Sequence, residues 1–177
     1  MLFRLFYGLI IVAVILIYSC KEGKDKIPLQ NFSQDQVTEK LLEANKATIE
    51  TENKQIDQLI TSKGWRMLKT GTGLRYQEII KGSGPLASAG KIARFEYEVH
   101  LITGETIYSS DKTGLKEFRI GSGGVESGLE EGILLLKIGG KARFIIPSYL
   151  AHGLSGDQDQ IPPKATLIYT LKLIELL

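Results

Sequence analysis

IPSYLAHG (residues 146–153) and IPPKATL (residues 161–167) are the two segments of this 177-residue chain that decide its fold. The first segment ends an apolar run at Pro147, and the second restarts one after Pro162 and Pro163. A proline fixes its own φ and pushes the residue before it toward extended geometry. The loop between the two segments is therefore restrained before any tertiary contact forms. Such a loop beside two apolar strands is a good wall for a binding site, because loops on a rigid scaffold carry function.

The composition is that of an ordinary globular protein. Charged residues make up 24% of the chain and hydrophobic residues 43%. The formal net charge is +2 with no basic stripe, which argues against nucleic acid as a partner. A single cysteine, Cys20, excludes an intramolecular disulfide and a cysteine metal cluster. With His100 and His152 as the two histidines, a histidine metal site is not expected either, so we predict no metal and no cofactor.

The first 19 residues have the pattern of a secretory signal. Arg4 supplies the positive region, and the apolar run over residues 5–18 is shorter than the roughly 20 residues that a membrane span needs. Residues 17–20 resemble a bacterial lipobox, in which the cysteine is lipidated and becomes the first residue. We predict a lipoprotein signal peptide over residues 1–19, lipidation of Cys20, and a membrane-anchored protein of the cell envelope that faces the periplasm. An uncleaved N-terminal anchor is the alternative.

A flexible stalk over residues 20–32 and a long helix are predicted next. Ser33 and Gln36 fit a capping box, in which each side chain bonds the other residue's backbone N–H. No proline or glycine interrupts residues 34–63, which we predict as one helix within a helical segment of residues 33–64. Its thin apolar stripe suits a helix that lies on its own domain or on a partner, a second copy included. A solvated spacer between membrane and domain is the alternative.

From residue 65 onward the hydrophobic period changes to two, which predicts antiparallel strands. Residues 93–101 alternate between apolar and polar side chains, as a half-buried strand does. Further strands are predicted at residues 65–69, 74–80, 105–109, 116–120, 142–146 and 167–173. An amphipathic pattern predicts a short helix over residues 127–136. Antiparallel strands packed on one short helix form an α+β domain over residues 65–177.

The order of the motifs from Gly71 to Leu177 resembles the FKBP-type peptidyl-prolyl cis–trans isomerases. The matching segments include FRIG at residues 118–121, GLEEG at residues 128–132, and the two proline segments. The resemblance implies an α+β fold with a five- or six-stranded antiparallel sheet wrapped around a short helix, here preceded by a long N-terminal helix. The lipid-anchored arrangement is similar to FKBP-like lipoproteins associated with bacterial gliding motility.

The resemblance also implies a pocket between sheet and helix that holds the prolyl ring of a polypeptide substrate. Its catalytic residues would be Tyr97, Tyr108 and His152. Its substrate-binding residues would be Ile107, Phe118, Val125, Glu126, Leu129, Ile161 and Tyr169. Such a pocket favours the twisted amide over the more polar planar form, without an acid, a base or a metal.

Three of these positions depart from the family pattern. Tyr108 stands where an aspartate is usual, His152 where a tyrosine is usual, and Glu126 where an isoleucine lines the rim. We therefore expect weak peptidyl-prolyl isomerase activity on exported proteins, and poor binding of the family's macrolide inhibitors. The alternative is a non-catalytic FKBP-like chaperone, or a structural subunit of an envelope machine for gliding or secretion. A third hypothesis assigns the function to the long helix and gives the domain only a structural role at the end of that helix.

Overall fold

The computed structural model describes residues 33–177, and Glu43–Leu177 form one compact unit. The predicted signal peptide, the stalk and Cys20 lie outside the described residues. The elements in chain order are α1 (Gln34–Lys63), β1 (Leu68–Lys69), β2 (Arg75–Ile80), β3 (Ile92–Leu101), β4 (Thr106–Ser109), α2 (Ser110–Thr113), β5 (Lys116–Arg119), α3 (Ser127–Ile133), β6 (Lys141–Ile146), a 3-10 turn (Ser148–Leu150) and β7 (Leu167–Leu176). Within the described residues, no helix is both long enough and apolar enough to cross a membrane.

The long helix α1 begins and ends where the sequence predicts. The backbone N–H of Ser33 donates to Oε1 of Gln36 at 3.1 Å, and the N–H of Gln36 donates to Oγ of Ser33 at 3.3 Å. These are the two reciprocal bonds of a capping box. Gly64 follows the last turn at φ 64°, and the N–H of Trp65 returns to the carbonyl of Ile60 at 3.1 Å. A left-handed glycine with such a backward bond is a common way to end a helix.

The strands form one antiparallel sheet in the order β1-β2-β6-β7-β3-β4, with β5 paired to β3. The ten-residue strands β3 and β7 lie side by side, so that Val99 is opposite Tyr169 and Tyr97 is opposite Leu171. The predicted α+β fold with a long N-terminal helix is confirmed. The sheet has seven strands where five or six were expected, because the two-residue β1 pairs with β2 at one edge and β5 pairs separately at the other.

The short helix α3 packs closely against β6. A Cβ at Gly128 would collide with Cγ2 of Ile146, and one at Gly132 would lie 3.1 Å from the ring of Phe144. The two glycines are four residues apart and therefore share one face of the helix. They let the helix backbone approach the sheet, which places the start of α3 beside the end of β6.

Two elements, α3 and β1, are three residues shorter than predicted. The helix α3 ends at Ile133, and the N–H of Leu136 then donates to the carbonyl of Ile133 at 3.0 Å. A bond that spans three residues belongs to a tighter turn than the α-helix, so the predicted end at Leu136 is wrong. The strand predicted from residue 65 begins at Leu68, and Trp65 and Met67 before it pack against the apolar cluster that contains Ile56 of α1.

The C-terminal half of α1 lies on the outer face of the sheet. Ile56 is fully buried against Ile145 of β6 and Ile168 of β7. Arg75 of β2, also buried, donates to Asn53 at 2.8 Å and pairs with Asp57 at 3.1 Å. The part of the helix within Glu43–Lys63 is therefore packed on its own domain and is more than a spacer.

Candidate functional site

A cavity of about 520 Å³ opens between β4, the start of α3 and the loop that follows the 3-10 turn. Its lining combines apolar, aromatic and charged side chains: Tyr108, Lys116, Gly124, Val125, Glu126, Ala151, His152, Asp157, Ile161 and Tyr169. Strand β4 supplies Tyr108, strand β7 supplies Tyr169, and Glu126 is the residue just before α3. The site is thus assembled from separate elements that the sheet brings to one end of the domain.

The base of the cavity is formed by Tyr169, which is 3% exposed. Its hydroxyl donates to Oε1 of Glu126 at 2.6 Å. Burial, together with the charge and the hydrogen bond of Glu126, raises the pKa of Tyr169 well above its usual value. Tyr169 therefore stays protonated and donates to Glu126 at all physiological pH values.

His152 lies on a wall of the cavity and contacts the same carboxylate as Tyr169. Its Nε2 is 3.0 Å from Oε1 of Glu126, and its side chain is 29% exposed. Since the carboxylate oxygen is an acceptor, Nε2 carries the proton in this contact. One oxygen of Glu126 thus joins the base of the cavity to its wall.

Tyr108 forms the far side of the cavity with the acidic loop. Its hydroxyl donates to Oδ2 of Asp157 at 2.5 Å and lies 3.2 Å from Oδ2 of Asp159. Burial, with the hydrogen bond to Asp157, raises the pKa of Tyr108 well above its usual value. The side chain of Tyr108 is therefore an un-ionised phenol, and its hydroxyl proton is donated to Asp157 of the loop.

Asp157 is held by three donors. Its Oδ2 accepts from Tyr108, and its Oδ1 accepts from the backbone N–H groups of Ile161 at 2.7 Å and Asp159 at 3.0 Å. Burial opposes its ionisation, but these hydrogen bonds outweigh burial and hold the pKa of the Asp157 carboxyl below its usual value. Asp157 is therefore an anion at neutral pH and fixes the path of the loop.

Hydrogen bonds to α1 hold the segments on either side of the loop that carries His152. Glu52, which is 8% exposed, accepts from the backbone N–H of Ser148 at 2.6 Å and from the hydroxyl of Thr166 at 2.6 Å. Its other oxygen accepts from Oγ of Ser148 at 3.0 Å. Further along, Oγ of Ser127 donates to the carbonyl of Leu150 at 3.3 Å. The first turn of the loop is thus bonded to both α1 and α3.

The structure brings most of the predicted site residues to the cavity. Those that line it are Tyr108, Val125, Glu126, His152, Ile161 and Tyr169. The others lie in the core beside it and do not line it: Tyr97, Ile107, Phe118 and Leu129. Tyr97 is 4% exposed, and its hydroxyl lies 2.6 Å from Oγ1 of Thr113 in α2. Its hydroxyl therefore already has a hydrogen-bond partner within the protein.

Two charged residues of the cavity were not predicted. Lys116 places its ammonium 4.8 Å from the centre of the Tyr97 ring and 5.7 Å from that of Tyr108. Asp157 bonds a residue 49 positions earlier in the chain. Tyr108 occupies the position where the family resemblance expects an aspartate, and the carboxylate of Asp157 lies beside it. No local sequence pattern predicts this hydrogen bond, because the bond depends on where the loop returns to the sheet.

The chemistry available in the cavity is that of polar recognition beside apolar surface. Val125 and Ile161 supply the apolar walls, and Glu126 and Asp157 supply acceptors. Within residues 33–177, no group of three or more His, Cys, Asp or Glu side chains is placed to hold a metal ion. A second cavity of about 560 Å³ lies between α1 and residues 162–166, but the residues that carry the polar network of the first cavity do not line it. We therefore take the first cavity as the candidate site.

Comparison with known proteins agrees with the fold. The family model for FKBP-type peptidyl-prolyl cis-trans isomerase matches residues 84–174. FK506-binding protein 4 of Dictyostelium discoideum is 42% identical over 103 residues, which are 58% of this chain and 28% of that protein. The probable FKBP-type peptidyl-prolyl cis-trans isomerase FkpA of Neisseria meningitidis serogroup B is 38% identical over 107 residues, which are 60% of this chain and 39% of that protein. The match thus spans well under half the length of either relative.

The crystal structure of FkpA from Escherichia coli is similar over a longer range. It has a TM-score of 0.63 and 27% sequence identity, and the match covers 82% of this chain and 74% of that one. All residues that line the candidate cavity fall within the 84–174 range of the family model. The chain belongs to the FKBP-type peptidyl-prolyl cis–trans isomerase family.

Proposed function

We propose that the chain is a peptidyl-prolyl cis–trans isomerase that acts on proline-containing polypeptides. The observation that carries the proposal is the cavity inside the matched family region, where Val125 and Ile161 provide apolar contact for a prolyl ring. Amide resonance sets a rotation barrier of about 18–20 kcal/mol, and unaided X-Pro bonds isomerise in tens to hundreds of seconds. A cavity that removes water from the planar amide favours the less polar twisted form, and no acid, base or metal is required.

We further propose that this activity is weak. Hydrogen-bond donors aimed at the substrate carbonyl add electrostatic stabilisation to the transition state. Here the hydroxyl proton of Tyr108 is donated to Asp157, and Nε2 of His152 donates to Glu126. A donor that is already satisfied by a carboxylate is a poor donor to a substrate carbonyl. The same polar rim is the reason to expect poor binding of macrolide inhibitors.

The test is the isomerisation rate of a short X-Pro peptide with the purified protein. Val125→Arg places a long charged side chain in the cavity and should abolish the rate, because the prolyl ring then has no apolar surface to occupy. Gln58→Arg, on the exposed face of α1, is the matched control and should leave the rate unchanged. A wild-type rate equal to the uncatalysed rate, with the fold intact by circular dichroism, would exclude the isomerase function.

A non-catalytic role is the second candidate, and the engaged donors of Tyr108 and His152 favour it. In that case the cavity binds unfolded polypeptides as a chaperone, or holds a partner as a subunit of an envelope machine for gliding or secretion. The protein would then suppress the aggregation of an unfolded substrate without accelerating any X-Pro bond. Val125→Arg would remove the suppression, whereas Gln58→Arg would not.

We propose that the protein is a lipoprotein of the cell envelope, anchored through Cys20 and facing the periplasm. The support is the N-terminal pattern of Arg4, the apolar run over residues 5–18 and the lipobox-like residues 17–20. Metabolic labelling with palmitate should mark the wild-type protein and not Cys20→Ser. Labelling of both proteins, or of neither, would contradict the anchor.

We also propose that α1 mediates self-association. Its N-terminal half exposes Leu41 and Leu42, at 59% and 64%, and these side chains contribute to the apolar stripe of the helix. A second copy could cover them by packing helix on helix. Light scattering should give a dimer mass for the wild-type protein and a monomer mass for the double variant Leu41→Glu, Leu42→Glu. A monomer mass for the wild type at micromolar concentration would contradict this.

A further inference from the structure

Glu126 holds a carboxylate inside the candidate cavity in a fixed orientation. Its side chain is 11% exposed, and it lines the cavity just before α3. Oε1 accepts from Tyr169 at 2.6 Å and lies 3.0 Å from Nε2 of His152. Because one oxygen is bonded from two sides, the carboxylate cannot rotate without losing both contacts.

The other oxygen of Glu126 is available to a ligand. Both described contacts of the carboxylate go to Oε1, and Oε2 takes part in none among residues 33–177. Every buried polar side-chain atom in the same residues has a hydrogen-bond partner. Oε2 is therefore not fully buried, and it belongs to a residue that lines the cavity. An acceptor oxygen that is held in place and has no partner in the described part of the protein points to recognition of a hydrogen-bond donor on a ligand.

The charge around this oxygen favours a cation. Asp157, a second carboxylate, lines the same cavity, and Asp159 adjoins it through their shared contact with Tyr108. Lys116 is the cationic side chain of the lining, and its ammonium lies over the rings of Tyr97 and Tyr108. Carboxylates thus outnumber ammonium groups at the cavity, and hydrogen bonds between a carboxylate and a cation are stronger than neutral ones.

We propose that Glu126 is a specificity-determining residue that selects proline substrates with a Lys or Arg side chain directly adjacent to the proline. This inference rests on the proposed prolyl-binding function of the cavity. In the proposed complex the prolyl ring packs against Val125 and Ile161, which line the same cavity as Glu126, and a residue beside the proline extends toward the Glu126 carboxylate. A Lys or Arg side chain there donates to Oε2, whereas a Glu side chain is repelled by both Glu126 and Asp157.

The experiment compares matched peptides that differ in one residue beside the proline. Lys, Leu and Glu are placed in turn before the proline, and in a second series after it, since the geometry allows either side. Exchange NMR gives kcat/KM without a protease, and isothermal calorimetry gives Kd for the same peptides. In one of the two series we expect Lys to exceed Leu by about 5- to 10-fold and Glu to fall below Leu.

Glu126→Gln keeps the size and one acceptor oxygen but removes the charge, so the Lys-to-Leu ratio should fall to about one. Glu105→Gln, an exposed position in the β3–β4 turn, is the matched control and should keep the wild-type ratio. If Glu126→Gln does not fold, 0.5 M salt added to the wild type should lower the ratio by screening.

Equal kcat/KM and equal Kd for Lys and Leu peptides in both series would overturn the inference and leave the isomerase function standing. Lys-selective binding with no acceleration of any X-Pro bond would exclude the isomerase function and uphold Glu126 as the specificity residue. A Lys preference that persists in Glu126→Gln would also overturn the inference, because the selecting group would then lie elsewhere.

Discussion

The hydroxyl of Tyr108 donates to Oδ2 of Asp157 at 2.5 Å, across 49 residues of sequence. The family resemblance expects an aspartate at position 108 and a tyrosine at position 152. Instead Tyr108 supplies a hydroxyl, and the acidic loop supplies a carboxylate beside it. The polar edge of the cavity therefore still contains a hydroxyl and a carboxylate. However, the hydroxyl of Tyr108 is already hydrogen-bonded to the carboxylate of Asp157. That pairing is the physical reason to propose a binding pocket with weak catalysis.

Removal of the Tyr108 hydroxyl should destabilise the protein. Tyr108→Phe leaves Asp157 with one donor fewer in a partly buried place, which costs about 1–3 kcal/mol for a hydrogen bond to a charged group. The free energy of unfolding from urea titration measures this. Tyr76→Phe is the matched control, because the Tyr76 hydroxyl makes no hydrogen bond among the described residues and the change should stay within about 0.5 kcal/mol. Equal effects of the two substitutions would contradict the pairing.

The stabilisation that Asp157 gives to the folded protein should be lost in acid. Its pKa is lower in the folded protein than in the unfolded chain, so the folded state favours the anion. The stabilisation is fully present above the unfolded pKa, near pH 4, and is lost as the pH falls toward the folded pKa. Urea titrations between pH 7 and pH 3 should show a smaller acid loss for Asp157→Asn than for wild type. Parallel curves for the two proteins would exclude this role of Asp157.

Glu52 should be needed for the wall of the cavity, although it lies in α1. Glu52→Ala leaves the N–H of Ser148 and the hydroxyl of Thr166 without their acceptor, which should cost about 2–4 kcal/mol. Glu50→Ala, two residues earlier on the exposed side of α1, should change stability by less than about 0.5 kcal/mol. Hydrogen exchange of the Ser148 amide should accelerate in Glu52→Ala only. An unchanged exchange rate would show that the loop is held by other contacts.

The docking of α1 should contribute to the stability of the whole domain. Ile56→Ala removes a fully buried side chain packed on Ile145 and Ile168, and such a truncation costs about 2–5 kcal/mol. Gln55→Ala, an exposed neighbour, should be close to neutral. Thermal unfolding should stay a single transition with a lower midpoint for Ile56→Ala. Two separate transitions would mean that the helix unfolds independently of the sheet.

Several features of the fold follow from residues that act on their neighbours in sequence. Ser33 and Gln36 bond each other across three positions, and Gly64 ends α1 by its own φ, so both ends of the helix were predictable. The alternation in β3 reflects the period of two that any strand imposes. The end of α3 was mispredicted, because an apolar Leu136 continues the helical spacing even where the backbone has tightened.

Sequence patterns also placed six of the predicted site residues at the cavity, through the order of motifs that the family shares. They did not reveal how those residues bond. Glu126 meets His152 across 26 positions and Tyr169 across 43, and Glu52 meets Ser148 across 96. Such contacts depend on which strands pair and how a loop returns.

The local pattern of this chain therefore accounts for α1, for the start of α3, for most of the strands and for the residue types at one end of the sheet, but it did not predict the short helix α2. The burial of Ile56 against the outer face of the sheet and of Glu52 against Ser148 and Thr166, the engagement of the Tyr108 hydroxyl by Asp157, and the free oxygen of Glu126 were decided by tertiary packing. The reason is that hydrogen bonds and burial depend on distance in space, whereas periodicity and capping depend on distance along the chain.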